Sequence, residues 1–177
     1  NGGTLNGFTW LDYTAYYETL PIDKLQVGLE IEADRMVNSR ISAEEVASER
    51  TVIISERQGN ENNPGFLLSE EIAGAAFRAH PYGNGVIGHL SDLQAITRED
   101  LVAHYRRYYA PNNAVVVLVS ALPADEALDR IEQAFGDIPA GEDIPSVRTV
   151  EPDQYGERRV QVVRPAPNRV VQIVYRA

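Results

Sequence analysis

The stretch SAEEVASERTVIISERQG, residues 42–59, decides how this chain is read. Ser42 offers a side-chain oxygen to the orphan N–H groups of a helix start, and Glu45 stands where the reciprocal acid of a capping box belongs. In the helix that follows, Glu49 and Glu56 are nearly two full turns apart, so both carboxylates lie on one face. Ile53 lies between them and Val46 one turn before. A purely acidic face reads as solvated surface. Acids that share a stripe with aliphatic residues need a cation or a hydrogen-bond donor to meet them. Two readings follow from the spacing. In one, Glu49 and Glu56 are surface groups next to Arg50 and Arg57. In the other, one acid ligates a metal, as Glu does beside two histidines in catalytic zinc sites, and the other orients a ligand histidine through its far nitrogen.

The surroundings narrow the class. With 177 residues, 44% of them hydrophobic and 24% charged, the chain can bury a core and make one domain or a large part of one. It has no cysteine, which excludes disulfides and thiolate metal sites. A net charge of −10 argues against a nucleic-acid partner. No apolar run reaches the length of a membrane span. The opening on Asn1-Gly2-Gly3 reads as the middle of a loop and Val170 to Ala177 as an interrupted strand, so the chain is expected to be a fragment of a longer protein.

Working outward toward the N-terminus, a Gly-rich approach precedes NGFTWLDYTAYY, residues 6–17, whose aromatic and Thr content suits a strand. An edge here can accept a peptide as an added strand. Pro21 opens a helix to about Asn38, with Leu25, Leu29, Ala33 and Met36 at helical spacing. Toward the C-terminus, Asn60–Pro64 interrupts, Glu70–Phe77 supports a helix, and HPYGNGVIG, residues 80–88, makes a Gly-rich loop. A short helix is expected over Ser91–Ile96, then one capped by Thr97 with Asp100 in reply. The apolar run Ala114–Val119 reads as a central strand covered on both faces. Pro123–Phe135 reads as a helix ended by Gly136, residues 136–156 as a crossover, and about 158–163 and 169–175 as strands. The class is α+β, with a mainly antiparallel sheet packed against helices.

The three histidines, His80, His89 and His104, form no His-x-x-x-His pair, and no G-x-S-x-G elbow, phosphate loop or dinucleotide pattern is present. Residue chemistry alone leaves catalysis open.

Four stretches taken in order resemble the insulinase/pitrilysin (M16) zinc metallopeptidases, which include the mitochondrial processing peptidases and bacterial relatives: NGGTLNGFTWLDYTAYY, ERTVIISE, HPYGNGVIG and LVAHYRRYYAPNNAVVVLV. The resemblance spans roughly residues 1–120. It implies a truncated metallohydrolase-like domain, with residues 1–140 a partial N-terminal peptidase-type domain and 141–177 the crossover and first following strands. It implies that Glu56 is the third zinc ligand and that Glu49 orients a zinc-ligating histidine. Asn6, Gly7 and Phe8 would form the edge strand that pairs with a peptide substrate, Phe8 shaping a side-chain pocket. The family's His-x-x-Glu-His segment, which supplies two zinc ligands and the general base, does not occur in these residues. The resemblance therefore implies a zinc endopeptidase for the intact parent, with a second homologous domain in cis or as a partner subunit. For this piece alone it implies no bound zinc and no activity. A non-catalytic homologue acting as a structural or substrate-binding subunit, and a peptide-binding module using only the edge strand, remain open. So does compartment, bacterial cytoplasm or periplasm.

Overall fold

A computed structural model describes residues 2–175; Asn1 and the last two residues of the 170–177 stretch lie outside it. The described chain divides into two compact units. Among the described residues, 2–9, 13–43 and 97–145 make the first; 10–12, 44–96 and 146–175 make the second. Its helices and small antiparallel sheet give an α+β fold.

In the first unit, strands β1 (Thr4–Thr9) and β2 (Thr14–Thr19) pair antiparallel. The single strand expected over residues 6–17 is thus a hairpin. Thr9 pairs with Thr14 at its closing rung, and the four residues Trp10–Tyr13 make the connection. Residues opposite one another share a face, so Asn6 and Phe8 lie with Ala15 and Tyr17, and Gly7 lies with Tyr16. A Cβ at position 7 would meet Tyr16 Cδ1 at 3.0 Å and the Ala15 carbonyl oxygen at 3.1 Å, so the ring and the glycine fit each other.

Helix α1 (Leu25–Asn38) follows a short 3-10 turn at Ile22–Lys24 and buries Gly28 and Leu29. It packs on α6 (Ala124–Phe135). Helix α5 (Arg98–Tyr108) carries the expected capping box: Thr97 Oγ1 accepts from Asp100 N at 3.2 Å, and Asp100 Oδ2 accepts from Thr97 N at 2.8 Å. An aromatic cluster joins the hairpin to the helices. The Tyr16 and Tyr109 hydroxyls lie 3.0 Å apart, the Arg35 guanidinium sits 4.5 Å from the Tyr16 ring centre, and Tyr105 donates to the Arg35 carbonyl at 2.8 Å.

The second unit holds α2 (Ala43–Glu61), α3 (Pro64–Ala76), a 3-10 turn at Pro81–Gly83 and α4 (Leu90–Ala95). Helix α3 begins six residues before the expected Glu70, because Asn63 Oδ1 caps Gly65 N at 2.9 Å and Pro64 supplies a preset first residue.

The strands expected at 114–119, 158–163 and 169–175 are not formed among the described residues. Val115, Val117 and Val119 are 89%, 79% and 91% exposed, so the run is not a covered central strand. Apolar β-branched residues favour a strand only where a partner offers ladder and packing, and no described strand lies beside these runs.

Candidate functional site

Helix α2 starts directly after Ser42 and turns two different faces outward and inward. Val46 and Arg57 are buried, with Arg50, Ile53 and Ile54 partly so, while Glu49 and Glu56 are exposed. The two acids therefore border the packed stripe instead of lying in it. Seven residues of helix separate them by about 10.5 Å along the axis, too far to bind one ion together. If one carboxylate holds a metal, the other acts on a different group.

Neither arginine answers these acids. Arg50 donates to the Ile96 carbonyl. Arg57, 8% exposed at its side chain, forks onto Glu70, with Nη2 2.8 Å from Oε2 and Nη1 on Oε1. Its Nε reaches Glu61 at 3.1 Å, and its guanidinium lies 5.1 Å from the Phe66 ring centre. Hydrogen bonding to Glu70 raises the Arg57 pKa further, against the opposing effect of burial. Both acids are exposed, and among the described residues neither makes an ion pair or hydrogen bond. Sequence spacing missed Glu70 because it lies beyond the helix break; the i,i+4 partner Glu61 was within its reach.

In the other unit, Asn6, Gly7 and Phe8 lie together on β1. Among the described residues β1 pairs only with β2, so its second edge carries no ladder. Asn6 Oδ1 accepts from Gly7 N at 2.8 Å, which ties up the carbonyl end of the side chain and leaves its amide N–H groups as donors. Phe8 is half exposed; Tyr13 meets it edge-on with ring centres 5.7 Å apart, and Tyr17 stands at 6.5 Å. From the sequence both tyrosines read as aromatic packing residues of the strand, and the ring contacts with Phe8 agree with packing.

The structure thus groups the two acids on one helix face and the three edge residues on one strand, in different units. The histidines stay apart from the acids in role. His80 Nδ1 accepts from Tyr82 N at 3.2 Å; His89 begins α4; exposed His104 stacks 4.6 Å from Tyr108. Among the described residues no three His, Asp or Glu side chains converge as a metal-binding group. A catalytic zinc needs three protein ligands, so these residues alone do not build its site. Among the described residues, no helix is long and apolar enough to cross a membrane.

Comparison with known proteins adds the family. Residues 95–177 match the model for the peptidase M16 inactive domain. An uncharacterized zinc protease of Mycobacterium leprae is 31% identical over 135 residues, 76% of this chain and 30% of that protein. A protease from Helicobacter pylori superposes with a TM-score of 0.82 at 28% identity, over 85% of this chain and 37% of that one. A peptidase M16 inactive domain from Pseudomonas fluorescens shares the fold, with a TM-score of 0.72 at 23% identity, over 83% and 36%. The chain spans about a third of the length of the curated relatives it matches. Residues 1–89, carrying the hairpin, the two acids and the HPYG turn, match the insulinase model, and the chain belongs to the insulinase family, peptidase family M16.

Proposed function

We propose that the whole protein is a zinc-dependent endopeptidase acting on peptides or unfolded segments. The observation that carries this reading is the exposed Glu49–Glu56 face, whose neighbouring arginines are engaged elsewhere. In this reading Glu56 contributes one carboxylate to zinc and Glu49 orients a ligand histidine. The open edge of β1 pairs with the substrate, and Asn6 and Phe8 contact it. The remaining ligands and the general base come from residues outside this sequence, and a second homologous domain in cis or in trans completes the enzyme. The described residues alone bind zinc poorly and are inactive.

The test is Glu56→Gln in the whole protein, with zinc measured by metal analysis after dialysis alongside hydrolysis of an unstructured peptide. Loss of both supports Glu56 as a ligand; retention of both refutes it. Glu49→Gln should lower turnover while leaving the thermal midpoint in place, and unchanged turnover removes its role.

A second reading has its own support: the match of residues 95–177 to an inactive-domain model favours a non-catalytic subunit that holds substrate or partner. Zinc-free whole protein that binds an extended peptide and cleaves none would establish it. Peptide binding abolished by Asn6→Pro, with zinc irrelevant, would assign the interaction to the edge strand alone.

A further inference from the structure

Within the second unit, a carboxylate sits where three successive backbone N–H groups converge. Glu151 Oε1 accepts from Arg78 N at 2.8 Å, and its Oε2 accepts from Ala79 N at 2.8 Å and His80 N at 3.0 Å. Seven residues on, Arg158 Nη1 donates to the carbonyls of Ala75 and Ala76 at 2.5 and 3.2 Å. The acid satisfies donors just past the end of α3, and the base satisfies acceptors at that end. Residues 146–158 hold no described helix or strand of their own, so these charged anchors do what a ladder would otherwise do.

The held segment ends in the His80–Gly83 turn. There His80 Nδ1 accepts from Tyr82 N at 3.2 Å, which closes the turn over its own first residue. The Tyr82 hydroxyl is shared between both Asp12 oxygens at 2.7 and 2.8 Å, and Phe77, His80 and Tyr82 stack on one another. Three amides bound by one carboxylate set the backbone between Phe77 and Tyr82, inside that stack.

We propose that residues 146–158 form a strap, latched by Glu151 and Arg158, that sets the conformation of the His80–Gly83 turn. The latch joins a residue of the region matched by the inactive-domain model to residues matched by the insulinase model. It makes the HPYG turn depend on a segment about 70 residues away in sequence. Glu151 and Arg158 are positioning residues, and their role stands whether or not the peptidase reading does.

The test is hydrogen–deuterium exchange of residues 77–84 in the whole protein, with trypsin cleavage after Arg158 and Arg159 as a second readout. In Glu151→Gln the amides of 78–80 lose an ionised acceptor, and exchange there is expected to rise at least tenfold, with faster tryptic release of the strap. Glu151→Asp, one methylene short, behaves likewise. Exchange in α5 stays constant. Wild-type exchange and cleavage in both variants overturn the proposal. Should Glu151→Gln raise exchange in α5 as well, Arg158→Ala decides, since it loosens the strap from its other end. Acceleration confined to residues 75–84 then supports the latch, and unchanged exchange overturns it.

Discussion

Removing the carboxylate of Glu70 tests what orients α2. Arg57 carries its charge at 8% side-chain exposure, and Glu70 supplies both oxygens of the fork. Breaking a buried pair from one side costs about 3–5 kcal/mol, because the surviving ion keeps its desolvation penalty without its partner. Here Glu61 remains at 3.1 Å from Nε, but it is 40% exposed and meets only one of the guanidinium's edges. That places Glu70→Ala near the lower end, about 3 kcal/mol. The double variant Arg57→Met, Glu70→Leu removes both charges and keeps apolar volume against Phe66, so it should fall within about 1 kcal/mol of wild type. Urea denaturation of all three proteins, followed by far-UV circular dichroism, gives the free energies. A Glu70→Ala loss below about 1 kcal/mol, or a double variant no more stable than Glu70→Ala, refutes the view that the fork is a buried, mutually dependent pair.

Three further outcomes follow from the first unit. Burial, then the neighbouring Glu18 carboxyl, push the Glu32 pKa up to about 7 against the opposing pull of Arg35. The folded state therefore holds the extra proton between the ordinary carboxylate value and about 7, so stability falls as pH rises through that window. Glu32→Gln should flatten the pH 5 to 8 stability profile by on the order of 1–2 kcal/mol after screening, and an unchanged profile refutes this. Asp100 carries the opposite sign: bonds from Thr97 hold its pKa below the ordinary value. Its contribution is present above the ordinary carboxylate range and lost as pH falls through the folded value, so acid should fray α5 first, and Thr97→Val should abolish that early step in exchange measured below pH 4. Gly7→Ala removes backbone freedom worth about 0.5–1 kcal/mol, yet its Cβ meets the Ala15 carbonyl at 3.1 Å, an atom fixed by the ladder. No net gain in denaturation midpoint is expected, and a rise equivalent to about 0.5 kcal/mol or more refutes the close fit.

What the sequence made legible was local. The Thr97–Asp100 box, the α1 and α6 helices and the Gly136 stop rest on neighbours within a few residues, and each forms. The opening of α3 is equally local, since Asn63-Pro64 is a cap followed by a preset first residue, although the same pair in sequence also reads as a helix break. The valine run failed for a different reason. Val115, Val117 and Val119 are more exposed than Val116 at 42%, and a continuous apolar run supplies no pairing partner by itself. The contacts that organise the second unit lie beyond any periodic signal: Arg57 finds Glu70 across a helix break, and Glu151 finds three amides over 70 residues away. Glu49 and Glu56 were found by spacing, but their metal role came from family resemblance and not from geometry.

The fork also bears on those two acids. Consecutive residues on a helix point about 100° apart, so the direction of Glu56 is tied to that of Arg57. With Arg57 buried against Glu70 and Phe66, Glu56 must face away from that contact, as its exposure shows. Turning Glu56 into the packed stripe would require rolling α2 by roughly that angle, which would withdraw the guanidinium from both oxygens of Glu70. A residue that performs no chemistry in the proposed reaction thus determines where its carboxylate neighbour points. The consequence separates orientation from ligation. Arg57→Lys keeps the charge but loses the two-pronged grip, so in the whole protein zinc affinity should weaken while Glu56 is untouched. Restoration of zinc affinity by a second change that repacks the Phe66–Glu70 face without restoring Arg would show that roll, and not charge, is what Arg57 controls. Unaltered zinc affinity in Arg57→Lys would mean that α2 is held by other contacts.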